Sequence, residues 1–172
     1  MEEAQIALEQ EDLASLQIIY NIFRQKPIDE LFATAMEKQV GIIVRLSLAS
    51  GLLAGKFTAE TTFPETDHRN YNRNGDCFNV GETFAGLEFA KGLELVEQVR
   101  ALVPSEISMA QSAQRWILDH DAVSTVITGA SRTDQVLSNT GVSELAPLSD
   151  ATHKQLKSFY KNNVKANIRG PY

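Results

Sequence analysis

The sequence predicts an α/β domain built around a parallel sheet of about three strands with helices beside it. Two observations indicate this class. Short runs of β-branched and aromatic residues alternate along the chain with segments whose apolar residues recur at helical spacing, which is typical of parallel sheets. The strand runs are almost continuously apolar, which predicts that both sheet faces are covered. At 172 residues the chain fits a single domain, 1–172.

The first two strands are predicted at 15–23 and from Ile42, each after a helix. An acidic helix is expected at 2–13, and Pro27 stands where a proline favours the start of the next helix. The apolar stripe of that helix consists of Ile28, Leu31, Phe32, Ala35 and Met36. Gly41 ends this helix, and the buried run Ile42-Ile43-Val44 begins the second strand.

A long irregular segment follows at 57–91, where Asn, Gly, Asp and Thr dominate without sustained periodicity. Loops of this length inside a compact domain are uncommon and are often functional. The sequence leaves two interpretations open, a functional loop and an ordinary surface insertion.

Regular structure returns after this loop and includes a third strand at 123–127. The helix before it is predicted to start with a capping box formed by Ser108 and Gln111. A short helix is expected at about 132–139, and Ser149 is expected to cap a last helix.

Composition excludes several functional classes. The formal net charge of −6 argues against a nucleic-acid-binding module, which needs a basic face. No apolar stretch reaches the length of a membrane span, and the residues after Met1 do not resemble a secretory signal. The single cysteine, Cys77, suits the reducing cytosol, so a cytoplasmic location is expected. The three histidines lack metal-ligand spacing, and no metal site is predicted.

Two segments that follow strands could carry chemistry. In 45–56, Arg45 stands where a buried strand should end, before a run of small residues that includes Gly51. In 128–139, a glycine leads into a helix start where Ser131 is a candidate N-cap and Arg132 could bind a phosphate. Each has a simpler interpretation, an ordinary glycine turn and a capped surface helix with a solvated arginine. In α/β barrels, however, the loops after the seventh and eighth strands often form a phosphate site together.

Stretches along nearly the whole chain resemble the aldo/keto reductase family, and most closely its general-stress-protein-like bacterial branch. The stretches are QIIYNIFR at 17–24, GIIVR at 41–45, LASGLLAGK at 48–56, DHRN at 67–70, GETFAG at 81–86, AQSAQRWIL at 110–118 and VITGAS at 126–131. They correspond in order to the sixth and seventh strands, the long loop, the helix before the eighth strand and the adenosine-phosphate clamp. The resemblance implies a partial (β/α)8 barrel, with strands equivalent to strands 6–8.

The resemblance also implies that these residues bind NADPH. Gln17 would contact the nicotinamide carboxamide, and Arg45 would lie beside the nicotinamide ring, where many relatives have tyrosine. The pyrophosphate would be lined by Leu48, Ser50, Gly51 and Leu52. The 2′-phosphate end would be held by Gly129, Ala130, Ser131 and Arg132, and the adenine side by Gln135 and Asn139. The family usually has proline at the positions of Ser47 and Thr128, so two turns beside the cofactor are expected to be less rigid.

The family's catalytic aspartate, tyrosine, lysine and histidine come from its first four strands, which these stretches do not match. No catalytic residue is therefore assigned, and the chain alone is expected to be inactive. Three interpretations stay open: the NADPH-binding half of a carbonyl reductase, a non-catalytic NADP-binding or regulatory module, and a truncated product without independent function. Three parallel strands leave two open edges and an uncovered inner face, predicted to be apolar. We expect the chain to self-associate, to dock on a complementary amino-terminal half-barrel or to be marginally stable.

Overall fold

The computed structural model of the chain describes residues 1–171. Its strands are β1 (Ser15–Ile19), β2 (Gly41–Arg45) and β3 (Val123–Val126). Its α-helices are α1 (Glu2–Leu8), α2 (Lys26–Glu30), α3 (Phe32–Glu37), α4 (His68–Tyr71), α5 (Phe89–Arg100), α6 (Met109–Leu118), α7 (Thr133–Thr140) and α8 (Asp150–Phe159). Shorter helical turns lie at Ala49–Ala54, Val80–Glu82, Phe84–Gly86 and Gly141–Glu144, and others continue α8. The predicted three-stranded parallel α/β architecture is confirmed.

The three strands form one parallel sheet in the order β1-β2-β3. Ile18 pairs with Val44 and Val44 pairs with Val126, with an irregularity between Ile42 and Ile43 in the pairing with β3. Because the strands are parallel, their carboxyl ends lie at the same edge of the sheet. The segments that follow β2 and β3 therefore start side by side.

The two faces of the sheet differ in chemistry. Ile42 and Val44 are fully buried, and their neighbours on β1 and β3 pack against the same core. Alternation along each strand places the intervening residues on the opposite face. That face consists of Ser15, Gln17, Ile19, Ile43, Arg45, Ser124 and Thr125, all exposed or partly exposed. We call it the open face. The prediction that both faces are covered and that the inner face is apolar is wrong, because polar residues alternate with apolar ones in β1 and β3.

The core lies between the other face of the sheet and the helices. Trp116 of α6 stacks on Tyr20 with ring centroids 5.0 Å apart, and Phe32 meets Tyr20 edge-on at 4.9 Å. The capping box that starts α6 is confirmed, since Ser108 Oγ accepts from the Gln111 backbone N–H and the Gln111 side chain accepts from the Ser108 N–H. Ser149 caps α8 as predicted.

Several predicted boundaries differ from the structure. The first strand ends at Ile19, because residues 21–24 form a turn in which the Asn21 side chain accepts from the Phe23 N–H at 2.9 Å and donates to the Leu46 carbonyl at 2.9 Å. The helix predicted after Pro27 is two helices separated at Leu31, where φ is −131°, and Met36 lies 52% exposed. Helix α5 starts at Phe89, two residues before the predicted end of the long loop.

Candidate functional site

The two segments singled out in the sequence meet at the carboxyl edge of the sheet. Arg45 is the last residue of β2, and the Thr128-Gly129 segment follows β3. Beyond the end of β3 the Ile127 N–H still donates to the Val44 carbonyl at 2.8 Å, which keeps the two chain segments adjacent. This edge is where α/β proteins commonly bind their ligands.

Arg45 forms a bidentate ion pair with Glu82, which belongs to the long loop 37 residues further along the chain. The side chains of both residues are partly exposed, 34% for Arg45 and 27% for Glu82. The hydrogen bonds that Arg45 donates to the Glu82 carboxylate raise the pKa of Arg45 above its ordinary value. The sequence assigned no role to Glu82, because nothing in the local pattern indicates a contact over this separation.

The backbone on both sides of this ion pair is strained. Leu46, Ala49 and Ser50, which follow Arg45, have φ between +49° and +56°, a region unfavourable for residues other than glycine. In the facing loop, Phe84 and Ala85 have φ of +52° and +58°. The Ser50 hydroxyl joins the two turns, donating to the Glu82 carbonyl at 3.2 Å and accepting from the Phe84 N–H at 3.1 Å. Such strain persists only where surrounding contacts determine it, and it is frequent at functional sites.

Gly51 lies at the centre of the turn and faces the long loop. Its φ of +97° favours glycine, and a Cβ atom there would lie 2.8 Å from the Phe57 ring and 3.8 Å from Arg69 Nη1. The Arg69 guanidinium is held by Asp67, at 3.0 and 2.6 Å, and lies 4.5 Å from the Phe63 ring centre. Hydrogen bonding to Arg69 lowers the pKa of Asp67 to about 2. This ordered cation beside a glycine turn is a feature that the sequence analysis did not assign.

The two leucines of the turn have different surroundings. Leu48 is partly buried and packs against the core. Leu52 is 1% exposed and fills the space beside Gly92 of α5. Its side chain belongs to the core, so only its backbone could face a ligand.

The start of α7 is exposed, and side chains of the helix already bind its first N–H groups and Arg132. The Gln135 side-chain oxygen accepts from the backbone N–H groups of Ser131 at 2.7 Å and Arg132 at 3.2 Å. Arg132 pairs with Asp134 at 3.0 and 3.1 Å, which raises the pKa of Arg132. The prediction that Ser131 is the N-cap is wrong: Arg132 holds that position, because the helix starts one residue later than expected.

Ala130 and Asn139 of this segment border a groove along the open edge of β3. The groove encloses about 330 Å³ and is lined by Ala130, Asn139, Thr125 and Gln114 among others. Gln114 of α6 donates to the Asn139 side-chain oxygen at 2.9 Å. Gly129 is exposed, with no atom within 4 Å of the position that a Cβ would take.

Gln17 lies apart from the glycine turns, in the middle of β1 and on the open face. It is exposed and lines a cleft of about 680 Å³ between the open edge of β1, α1 and the start of α2. In the register of the sheet Gln17 pairs with Ile43, two residues before Arg45. Both side chains therefore project from the open face.

A second group of titratable residues lies at the end of α6, away from the glycine turns. The Asp119 carboxylate, 4% exposed, accepts from Arg115 Nε at 2.8 Å, from the Leu148 N–H at 2.9 Å and pairs with His153 Nε2 at 2.9 Å. His120 packs among the rings of Tyr20, Trp116 and His153, and burial lowers its pKa. These contacts tie α6 to α8.

Over residues 1–171, no group of three or more His, Cys, Asp and Glu side chains is arranged to hold a metal ion. Within the same range, every helix is too short or too polar to cross a bilayer.

Comparisons with known proteins agree with this architecture. The model of the aldo/keto reductase family matches residues 1–161. The aldo-keto reductase YhdN of Bacillus subtilis is 26% identical over 163 residues, covering 92% of this chain and 45% of that protein. An L-glyceraldehyde 3-phosphate reductase of Escherichia coli is 34% identical over 109 residues, covering 63% of this chain and 30% of that protein.

The solved structure of a glycerol dehydrogenase from Gluconobacter oxydans superimposes with a TM-score of 0.72 at 24% identity, covering 99% of this chain and 49% of that one. The chain thus spans about half the length of this structure and less than half of the two curated relatives.

Proposed function

Since the chain belongs to the aldo/keto reductase family, whose members bind nicotinamide cofactors, we propose that it carries the NADPH-binding part of a carbonyl reductase. In this proposal β1, β2 and β3 are equivalent to strands 6–8 of the family's barrel. The observation that carries it is the meeting of the two arginine- and glycine-containing segments at one edge of the sheet, after β2 and β3.

The chemistry of these residues fits a dinucleotide phosphate. Gln17 would bind the nicotinamide carboxamide and Arg45 would lie beside the ring. The backbone of the turn that contains Leu48, Ser50, Gly51 and Leu52 would line the pyrophosphate. Gly129, Ala130, Ser131 and Arg132 would hold the 2′-phosphate, and Gln135 with Asn139 the adenine. A guanidinium binds phosphate through parallel hydrogen bonds, which favours NADP over NAD at Arg132.

When bound, the reduced nicotinamide supplies a hydride to the carbonyl carbon of an aldehyde or ketone, while an acid gives a proton to the oxygen. The residues assigned to this chain bind and orient the dinucleotide, and none of them is proposed as the acid. We therefore expect no carbonyl reduction by the chain alone. A complementary half-barrel, or a second copy of the chain, is proposed as the partner that covers the open edges of β1 and β3.

A second candidate is a non-catalytic NADP-binding or regulatory module. The hydrogen bonds at the start of α7 favour it. The Gln135 side chain already accepts from the Ser131 N–H, and Asp134 already pairs with Arg132. A phosphate must displace both side chains before it can bind there. Such displacement couples binding to a local rearrangement. Carbonyl reduction after addition of an amino-terminal half from a relative would distinguish the reductase component from this module.

Calorimetric titration with NADPH tests cofactor binding, which both candidate functions require. We expect saturable binding. Arg132→Met should weaken the affinity for NADPH about fivefold, since an exposed charge pair contributes modestly. The affinity for NADH should stay nearly unchanged. Lys157→Met is the control, because Lys157 pairs with Asp29 on the exposed side of α8, outside both glycine segments. Absence of NADPH binding by the unmodified chain, or equal loss for both dinucleotides in Arg132→Met, would contradict the assignment.

A further inference from the structure

Glu82 neutralises the cation that the proposed function puts beside the nicotinamide ring. Its carboxylate binds the Arg45 guanidinium through both oxygens, and both side chains remain partly exposed at the open face. Of the other charged groups near the glycine turn, Asp67 and Arg69 form a pair of their own, and the Arg24 guanidinium is buried against Gly81. Arg45 and Glu82 are therefore the partly exposed charges at the end of β2 that the ring would meet.

The position of Glu82 is fixed by more than its attraction to Arg45. Its carbonyl accepts from the Ser50 hydroxyl, and Gly81 before it packs closely against the Arg24 guanidinium, where a Cβ atom would lie 2.5 Å away. The strained turn at Phe84 and Ala85 follows immediately. These contacts hold the loop backbone at the glycine turn, so the carboxylate is preorganised at the end of β2.

The two redox forms of a nicotinamide differ by one charge on the ring, which is cationic when oxidised and neutral when reduced. An unpaired guanidinium beside the ring would disfavour the oxidised form, whereas a carboxylate would favour it. We infer that Glu82 is a positioning residue that orients Arg45 and sets the relative affinity for oxidised and reduced dinucleotide. This inference rests on the proposed cofactor site.

The ratio of the dissociation constants of NADP⁺ and NADPH tests the inference, measured by calorimetry on the full chain. Glu82→Gln keeps the size of the side chain and leaves the Arg45 charge uncompensated. We expect the ratio to rise about fivefold, the effect of one partly screened unit charge. Arg45→Gln leaves the carboxylate uncompensated, so the ratio should fall. Glu82→Asp retains the charge and should stay close to the unmodified chain.

Glu94→Gln is the matched control, because it removes an exposed carboxylate whose partner, Lys91, lies on the same helix, α5. If the role of Glu82 is purely structural, Glu82→Gln should weaken the binding of both dinucleotides equally. That result would overturn the inference and leave the proposed cofactor site in place. Should Glu82→Gln fail to fold, an unchanged or increased ratio in Arg45→Gln would overturn it. If the unmodified chain binds neither dinucleotide, the proposed function and the inference fail together.

Discussion

Gly86 shows how one residue holds the long loop to the end of the chain. Its φ is +84°, and its carbonyl accepts from the backbone N–H of Arg169 at 3.1 Å and from the Arg169 guanidinium at 3.0 Å. A Cβ atom at this position would lie 2.8 Å from the Arg169 carbonyl oxygen. Space and backbone conformation therefore both require glycine here.

Gly86→Ala should lower the free energy of unfolding by about 1–3 kcal/mol, because it adds a left-handed alanine and a backbone clash. Gly141→Ala is the control, since its φ is negative and no atom lies within 4 Å of the added methyl group. Urea denaturation measures both variants. Equal stability of the two would show that the loop adjusts without strain.

His120 links the stability of the core to pH. Burial is the main cause of its lowered pKa, and the charge of His153 acts in the same direction, whereas the hydrogen bond to the Trp116 carbonyl and the charge of Asp119 oppose it. The unfolded chain therefore binds a proton at His120 at a higher pH than the folded chain does. We therefore expect His120 to lower the free energy of unfolding as the pH drops below about 6.5, the ordinary value for histidine.

His120→Gln should flatten the decrease in unfolding free energy between about pH 7.5 and about pH 5.5, because glutamine keeps a donor and cannot be protonated in this range. His68→Gln, in the long loop, should retain the slope of the unmodified chain. Stability measured by denaturant titration at each pH decides the matter. A slope in His120→Gln equal to that of the unmodified chain would rule out His120 as its source.

At the scale of elements, helix α6 illustrates what local sequence determines. Its capping box, its apolar face and the buried Trp116 follow from residues within one or two turns of each other. Ser108→Ala should cost about 1 kcal/mol of stability, because a backbone N–H at the helix start loses its acceptor. Ser138→Ala, at an exposed position of α7, should stay within about 0.5 kcal/mol of the unmodified chain. Thermal and urea denaturation compare the two variants, and a larger loss in Ser138→Ala would be inconsistent with this assignment.

The elements that the sequence predicts correctly have local signals. The boundaries and contacts that differ from prediction depend on residues far apart in the sequence. β2 and β3 were expected from apolar runs, and the parallel order followed from the alternation of strands and helices. The early end of β1 depends on Asn21 bonding to Leu46, 25 residues away. The pairing of Arg45 with Glu82 likewise spans 37 residues. Neither contact leaves a periodic pattern, so Arg45 could be predicted from the sequence and its partner Glu82 could not.

At the scale of the whole molecule, the sheet has unpaired edges at β1 and β3 within the described residues, and each edge borders a cleft. Exposed strand edges invite pairing with another chain. We expect concentration-dependent association in sedimentation experiments, weakened by Ile127→Lys, which puts a charge on an exposed apolar position beside β3. Met36→Lys, on the exposed side of α3, should leave association unchanged. A well-folded monomer that stays monomeric at all concentrations would contradict this expectation.

The open face combines polar and apolar residues, and this combination determines which protein surfaces can bind to it. Ser15, Gln17, Ser124 and Thr125 bind water readily, so an arriving protein has to replace those hydration contacts with matched donors and acceptors. An apolar surface would remove water from these groups without providing hydrogen bonds in its place. Non-specific adhesion is thus disfavoured, and only a surface with complementary polar geometry gains from covering this side of the sheet.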